Sequence, residues 1–291
     1  MQKERSGVTR QGGAKWATPV IDPTMGDTCG LAANMTDREA PEESEARRFF
    51  ESLGYVATRL PESSHSRQAD YSVQNGVDQL LVEVKSRRRD EGFDQDLEQF
   101  GRAQSQQTLG RRNPISKQIS DAAGQLAATA AENSSSLRLV VFVTADDDPK
   151  VQFDQVEATL YGKIDLLCEG SAGVVAVPCF YFTFSEFFRT PSVDAAMVLT
   201  PMGGRLLINA FSGRRGRLGA SKLYQELLAA GAVTDSEAQE LMGDAFLADT
   251  DIDRRDEAAI LSYIRNKYGR PGLLAVVPTR FRAAIKIPHQ S

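Results

Sequence analysis

The run LRLVVFVT, residues 137–144, constrains the fold more than any other stretch of this chain. It is apolar on both alternating sets of side chains, so as a strand it has no face that tolerates water. Such a strand needs cover on both sides, and helices packed on a sheet are the usual cover. The flanking sequence supplies them. Pro114 opens ISKQISDAAGQLAATAAE, a predicted helix with Ile115, Ile119, Ala122, Ala123 and Leu126 on one stripe. Pro41 opens EESEARRFFESLGY, whose stripe is Ala46, Phe49, Phe50 and Leu53, with Gly54 suited to a left-handed C-terminal cap. The class is α/β, with a mixed central sheet flanked by helices.

Between these helices lies RQADYSVQNGVDQLLVEVKSRRR, residues 67–89, which reads as a β-hairpin turning at Asn75-Gly76. Tyr55 to Leu60 supplies a preceding strand. On the second hairpin strand Leu81, Glu83 and Lys85 share one face, and Leu80, Val82 and Val84 the other. A turn centred on Asn75-Gly76 puts Asp70 opposite Leu81 and diagonal to Glu83, with Cβ atoms within about 8 Å. Two carboxylates and an ammonium then converge in an otherwise apolar ribbon. Buried charge is costly unless paired or metal-bound, and a hard divalent cation with oxygen ligands would account for the cluster. An isolated Glu-x-Lys is more often a solvated face; the surrounding Leu and Val argue against that here.

At Asp70, Glu83-Val84-Lys85 and the basic run that follows, the sequence resembles the PD-(D/E)xK nuclease superfamily. Locally it is most similar to Holliday junction resolvases and Mrr-type endonucleases. Ala69 stands where the family name has proline. The resemblance covers roughly residues 42–145 and rests on a short, degenerate motif. It implies a restriction-endonuclease-like αβββαβ core and Mg²⁺- or Mn²⁺-dependent hydrolysis of DNA, in settings such as restriction, antiphage defence or repair. Asp70, Glu83 and Glu43 would hold the metal with the Val84 carbonyl, and Lys85 would act on the water or the developing charge. Glu43 is preferred for the helix glutamate, with Glu42 and Glu45 as alternatives; all three also suit a helix N-terminus electrostatically. Arg87, Arg88, Arg89, Arg111, Arg112, Lys117 and Gln118 are candidate nucleic-acid contacts, guanidinium forks matching phosphate well. A solvated polar segment would carry the same arginines.

Other features set bounds. The net charge of −5 does not advertise nucleic-acid binding, although local patches decide such contacts. Three cysteines without CxxC spacing point to reduced thiols and a cytoplasmic protein rather than a zinc site. No run is long and apolar enough for a membrane span, and no signal-peptide pattern opens the chain. Residues 1–40 read as a flexible leader, in which Trp16 could dock onto the body. Residues 41–200 read as the nuclease-like domain. Residues 201–291 read as a mainly helical region, opened by a Gly-rich, basic stretch (Arg214, Arg215, Arg217) that suits a linker or a second phosphate contact. Helices are expected over 221–230, 235–246 and 254–268, with a capping box from Thr234 and Glu237. A hairpin from 273–277 and 281–287 would complete a winged-helix order. A homodimer or partner-protein contact through this region is an equal expectation. Two readings compete with the nuclease: a non-catalytic nuclease-fold module that binds DNA or a partner protein, and a scaffold whose Glu-Val-Lys is a surface strand.

Overall fold

The computed structural model describes residues 39–61, 68–87, 103–131, 136–144, 149–170, 173–270, 272, 274–277 and 281–286. Residues 1–38, with Trp16, lie outside this set, as do Arg88, Arg89 and Arg102.

Helix α1 (Pro41–Ser52) is followed by strands β1 (Val56–Arg59), β2 (Tyr71–Gln74) and β3 (Gln79–Arg87). After β4 (Ala103–Thr108) come helix α2 (Asn113–Ala130), strand β5 (Leu137–Thr144), helix α3 (Pro149–Tyr161) and strands β6 (Ile164–Gly170) and β7 (Gly173–Phe180). The short α4 (Glu186–Arg189) leads into β8 (Ala195–Thr200) and β9 (Gly203–Ile208), then α5 (Arg215–Ala220), α6 (Lys222–Ala229) and β10 (Val233–Thr234). Helix α7 (Ser236–Met242), β11 (Phe246–Leu247), α8 (Glu257–Lys267), β12 (Leu274–Val276) and β13 (Phe281–Lys286) close the order.

The main sheet has seven strands in the order β1-β2-β3-β5-β8-β9-β10. The β1-β2-β3 meander is antiparallel, β5 lies parallel to β3 and β8, and β9 is antiparallel to β8. As its sequence requires, β5 is central and covered on both faces. One face packs α1, α5 and α6 through Ala46, Phe49, Phe50, Leu218, Leu223 and Leu227 onto Leu80, Val82, Leu139 and Val141. The other packs α2, α3 and α4 through residues such as Ile115, Ile119, Leu126, Val156 and Phe187 onto Leu81, Val140 and Phe142. The alternation expected for β3 therefore holds, and Leu81 and Glu83 lie on the α2 side.

The C-terminal half departs from expectation. The main sheet runs through the boundary expected at residue 200, because β8 and β9 are a hairpin across it, with Thr200 opposite Gly203. The stretch expected as a linker forms β9 and α5 instead. Arg214 and Arg215 are engaged within the chain. Arg214 Nε lies 2.9 Å from Asp194 Oδ2, and Arg215 pairs with Asp235 at 2.8 Å and with Glu237. The strands β12 and β13 do not pair with each other. β12 lies on β6 in a four-stranded sheet, β11-β7-β6-β12, and β13 pairs with β4. The winged-helix order is thus overturned, since the apolar residues of β12 are drawn to the cluster containing Leu166, Phe246, Ile260 and Ile264. Helix α7 is capped by Asp235, which accepts from Glu237 N at 3.1 Å, and not by Thr234. Among the described residues no helix is long and apolar enough to cross a membrane.

Candidate active site at the end of the hairpin

The hairpin loop fixes the site's register. Gln74 pairs with Gln79, leaving four residues, Asn75 to Asp78, in the connection. Asn75 Oδ1 accepts from the backbone N–H groups of Val77 (3.1 Å) and Asp78 (2.7 Å), a side-chain-built turn, and Gly76 takes φ 86°. Asp78 is buried. Its Oδ2 accepts from Tyr55 Oη at 2.6 Å and from the Lys222 N–H at 2.8 Å, and Tyr55 Oη accepts from the Leu223 N–H. The connection is therefore two residues longer than expected, which corrects the pairing. Tyr71 lies opposite Val82, where the regular pairing ends, and the Asp70 N–H donates to the same Val82 O at 3.0 Å. Asp70 thus sits against the Val82–Val84 stretch of β3, where its charge reaches Glu83, rather than opposite Leu81.

β2 stops there while β3 runs on. Asp70 Oδ2 takes the place of the missing strand and accepts the Val84 N–H at 2.7 Å. In a strand the N–H and C=O of one residue point the same way, so the Val84 carbonyl is directed toward this same vacated edge. Glu83, 1% exposed, shares Oε1 with Lys85 Nζ at 2.6 Å, and its Oε2 is buried without a hydrogen-bond partner. Burial, and then the Asp70 charge, push the Glu83 carboxyl up to about 7; Lys85 and Gln125 pull the other way.

Helix α1 meets the site from the opposite face of the sheet. Glu42 Oε1 accepts from Ser86 Oγ at 2.8 Å, immediately after Lys85. The preferred Glu43 is turned elsewhere. Its Oε2 lies 3.4 Å from both Arg59 Nη2 and the Ala40 N–H, although it is near enough to Asp70 for that charge to act on it. Burial raises the carboxyls of both Glu43 and Glu45. Among the described residues no group of three or more His, Cys, Asp and Glu side chains is gathered as a metal site. The three-carboxylate shell expected from Glu43, Asp70 and Glu83 is therefore not assembled. Asp70 and Glu83 remain.

Two carboxylates and a carbonyl are all oxygen donors, and Mg²⁺ is commonly held by one or two carboxylates plus substrate phosphate and water. The orphaned Glu83 Oε2 and the mutual repulsion of Glu83 and Asp70 fit a hard cation. In that case Asp70, Glu83 and the Val84 carbonyl are the residues that would hold it.

The proposed phosphate contacts divide. Arg111 Nη2 bonds Glu186 Oε1 at 2.7 Å and its Nη1 bonds Asn113, so this guanidinium is held inside the chain, contrary to its expected role. The Arg112 N–H donates to Thr159 Oγ1 at 3.0 Å at the start of α2. Lys117 is exposed on α2, and Gln118 Nε2 reaches Ser86 O at 3.4 Å. The backbone of Arg87 closes β3. Arg88 and Arg89 lie outside the described residues.

Sequence reasoning missed Gln125, whose Oε1 accepts from Lys85 Nζ at 3.1 Å. Its signal was present: Gln118, Gln125 and Thr129 recur at helical spacing along a face otherwise made of small residues. Ser86 was missed as well. No protein-family model matches this sequence, and no curated protein or solved structure shows significant similarity to it.

Proposed function

We propose that this protein is a Mg²⁺- or Mn²⁺-dependent nuclease that hydrolyses DNA phosphodiester bonds with a PD-(D/E)xK-type site on a restriction-endonuclease-like core. The observation that carries the reading is the Asp70 carboxylate bonded to the Val84 N–H beside Glu83, on whose carboxyl its charge acts, with Lys85 at 2.6 Å from Glu83. The order α1, β1-β2-β3, α2, β5 of the elements around the main sheet, with β4 inserted before α2 in a separate sheet, supports it, β3 and β5 being parallel.

The bound cation would supply a Lewis acid and neutralise phosphate charge. The chain's own residues do the rest. Asp70 and Glu83 set the carboxylate pair, and Asp70 also pins β3 through the Val84 N–H. Lys85, an ammonium with protons beyond the two used by Glu83 and Gln125, is available to a water or a phosphate oxygen. Glu42, through Ser86, holds α1 against the end of β3. Gln118 borders the same strand end, and with the exposed Lys117 beside it in sequence it suits contact with the sugar-phosphate chain.

The test is a panel of supercoiled, linear, branched and single-stranded DNA plus RNA, incubated with Mg²⁺ or Mn²⁺ and with EDTA. Metal-dependent cleavage lost in Asp70→Ala supports the proposal. Cleavage retained by a clean Asp70→Ala preparation refutes the site. Metal-independent DNA binding without cleavage would instead favour the non-catalytic module.

A further inference from the structure

Lys85 is held from two directions, and only one was legible in its motif. Glu83 Oε1 takes one of its protons, and Gln125 Oε1, from the fourth turn of α2, takes another. The same Gln125 donates through Nε2 to Gln68 O at 3.4 Å, two residues before Asp70. One turn further along, Thr129 Oγ1 accepts the Ala69 N–H at 2.8 Å. Gln125 and Thr129 are four apart and lie on one face of the helix. That face therefore touches both halves of the site: the strand that carries Glu83 and Lys85, and the segment that delivers Asp70.

We infer that Gln125 is a positioning residue, a clamp that fixes the Lys85 ammonium relative to Asp70 by bonding Lys85 and the Asp70-bearing segment at once. The inference rests on the nuclease reading for its catalytic consequence, but the clamp itself is a property of the metal-free chain. A primary amide suits this place because it offers an acceptor at one end and donors at the other. A carboxylate could not donate to Gln68 O, and an ammonium could not accept from Lys85. The helix beneath is well anchored, with Ile115, Ile119, Ala122 and Leu126 fully buried, so Gln125 projects from a rigid support.

The experiment compares full-length wild type, Gln125→Met and Thr129→Val, the methionine keeping length without either polar group. In EDTA, limited acetylation read by mass spectrometry reports how firmly Lys85 is held, with Lys117 as an exposed internal reference. Gln125→Met is expected to speed Lys85 labelling severalfold, whereas Thr129→Val, which frees only the Ala69 N–H, leaves it unchanged. In cleavage assays Gln125→Met is expected to lower kcat roughly tenfold, the factor expected from losing one hydrogen bond to a charged group. KM for DNA stays near the wild-type value. Unchanged Lys85 labelling in Gln125→Met overturns the clamp, as does equal exposure of Lys85 in Thr129→Val. Faster labelling in a protein that cleaves no substrate supports the clamp and counts against the nuclease reading instead.

Discussion

Replacing Glu83 with Gln should remove a specific pH dependence from the stability of the metal-free protein. Glu83 is 1% exposed and has its carboxyl raised from 4.5 to about 7, burial being the first cause and the nearby Asp70 charge the next. A carboxyl with a raised folded-state pKa binds more protons folded than unfolded, so stability falls as pH rises between the two values. Integrating that difference from about pH 5 to about pH 8 gives a loss of about 2.5 kcal/mol in the wild type. Glu83→Gln cannot titrate, so its stability should vary less by about that amount over the same interval. The amide oxygen of the variant can still accept from Lys85, and any pH-independent change in its stability leaves this difference unaltered. The assay is urea denaturation in EDTA at a series of pH values, comparing wild type with variant. Parallel stability profiles for the two proteins would refute the account of Glu83 as a buried carboxylate strained by Asp70. Added Mg²⁺ should flatten the wild-type profile alone, because a cation favours the ionised carboxylate.

Other consequences are as direct. Lys85→Ala should abolish metal-dependent cleavage while leaving the circular dichroism spectrum unchanged; measurable turnover would remove Lys85 from the mechanism. Tyr55→Phe removes a hydroxyl that bridges Asp78 and the Leu223 N–H, and should cost about 1–3 kcal/mol in chemical denaturation. A chain stopped at residue 200 exposes the edge of β8 and strips α1 of the partners on α5 and α6, so it should fail to give a protease-resistant core.

The residues show why some of this was readable. β5, α1 and α2 follow from apolar periodicity, which reports local burial, and the face carrying Leu81, Glu83 and Lys85 follows from strand alternation. The register of the hairpin was misjudged by two residues because Asp78 is drawn out of the strand by Tyr55 and by the start of α6, 144 residues away. No local pattern carries that information. Glu42 and Glu43 are adjacent in sequence, so only the helix's rotation about its axis decides which reaches Ser86 and which reaches Arg59. The basic residues misled for a related reason: Arg111, Arg214 and Arg215 each have an acid partner far along the chain.

The overhang of β3 beyond β2 bears on how freely such a site can drift in sequence. At Val84 the useful groups belong to the main chain, so any side chain that tolerates a strand can stand there. The length of the hairpin connection, by contrast, is not free, because it sets which residues of β2 and β3 lie beside one another. The placement of the cluster therefore depends on a ragged sheet edge as much as on the letters of Asp70, Glu83 and Lys85.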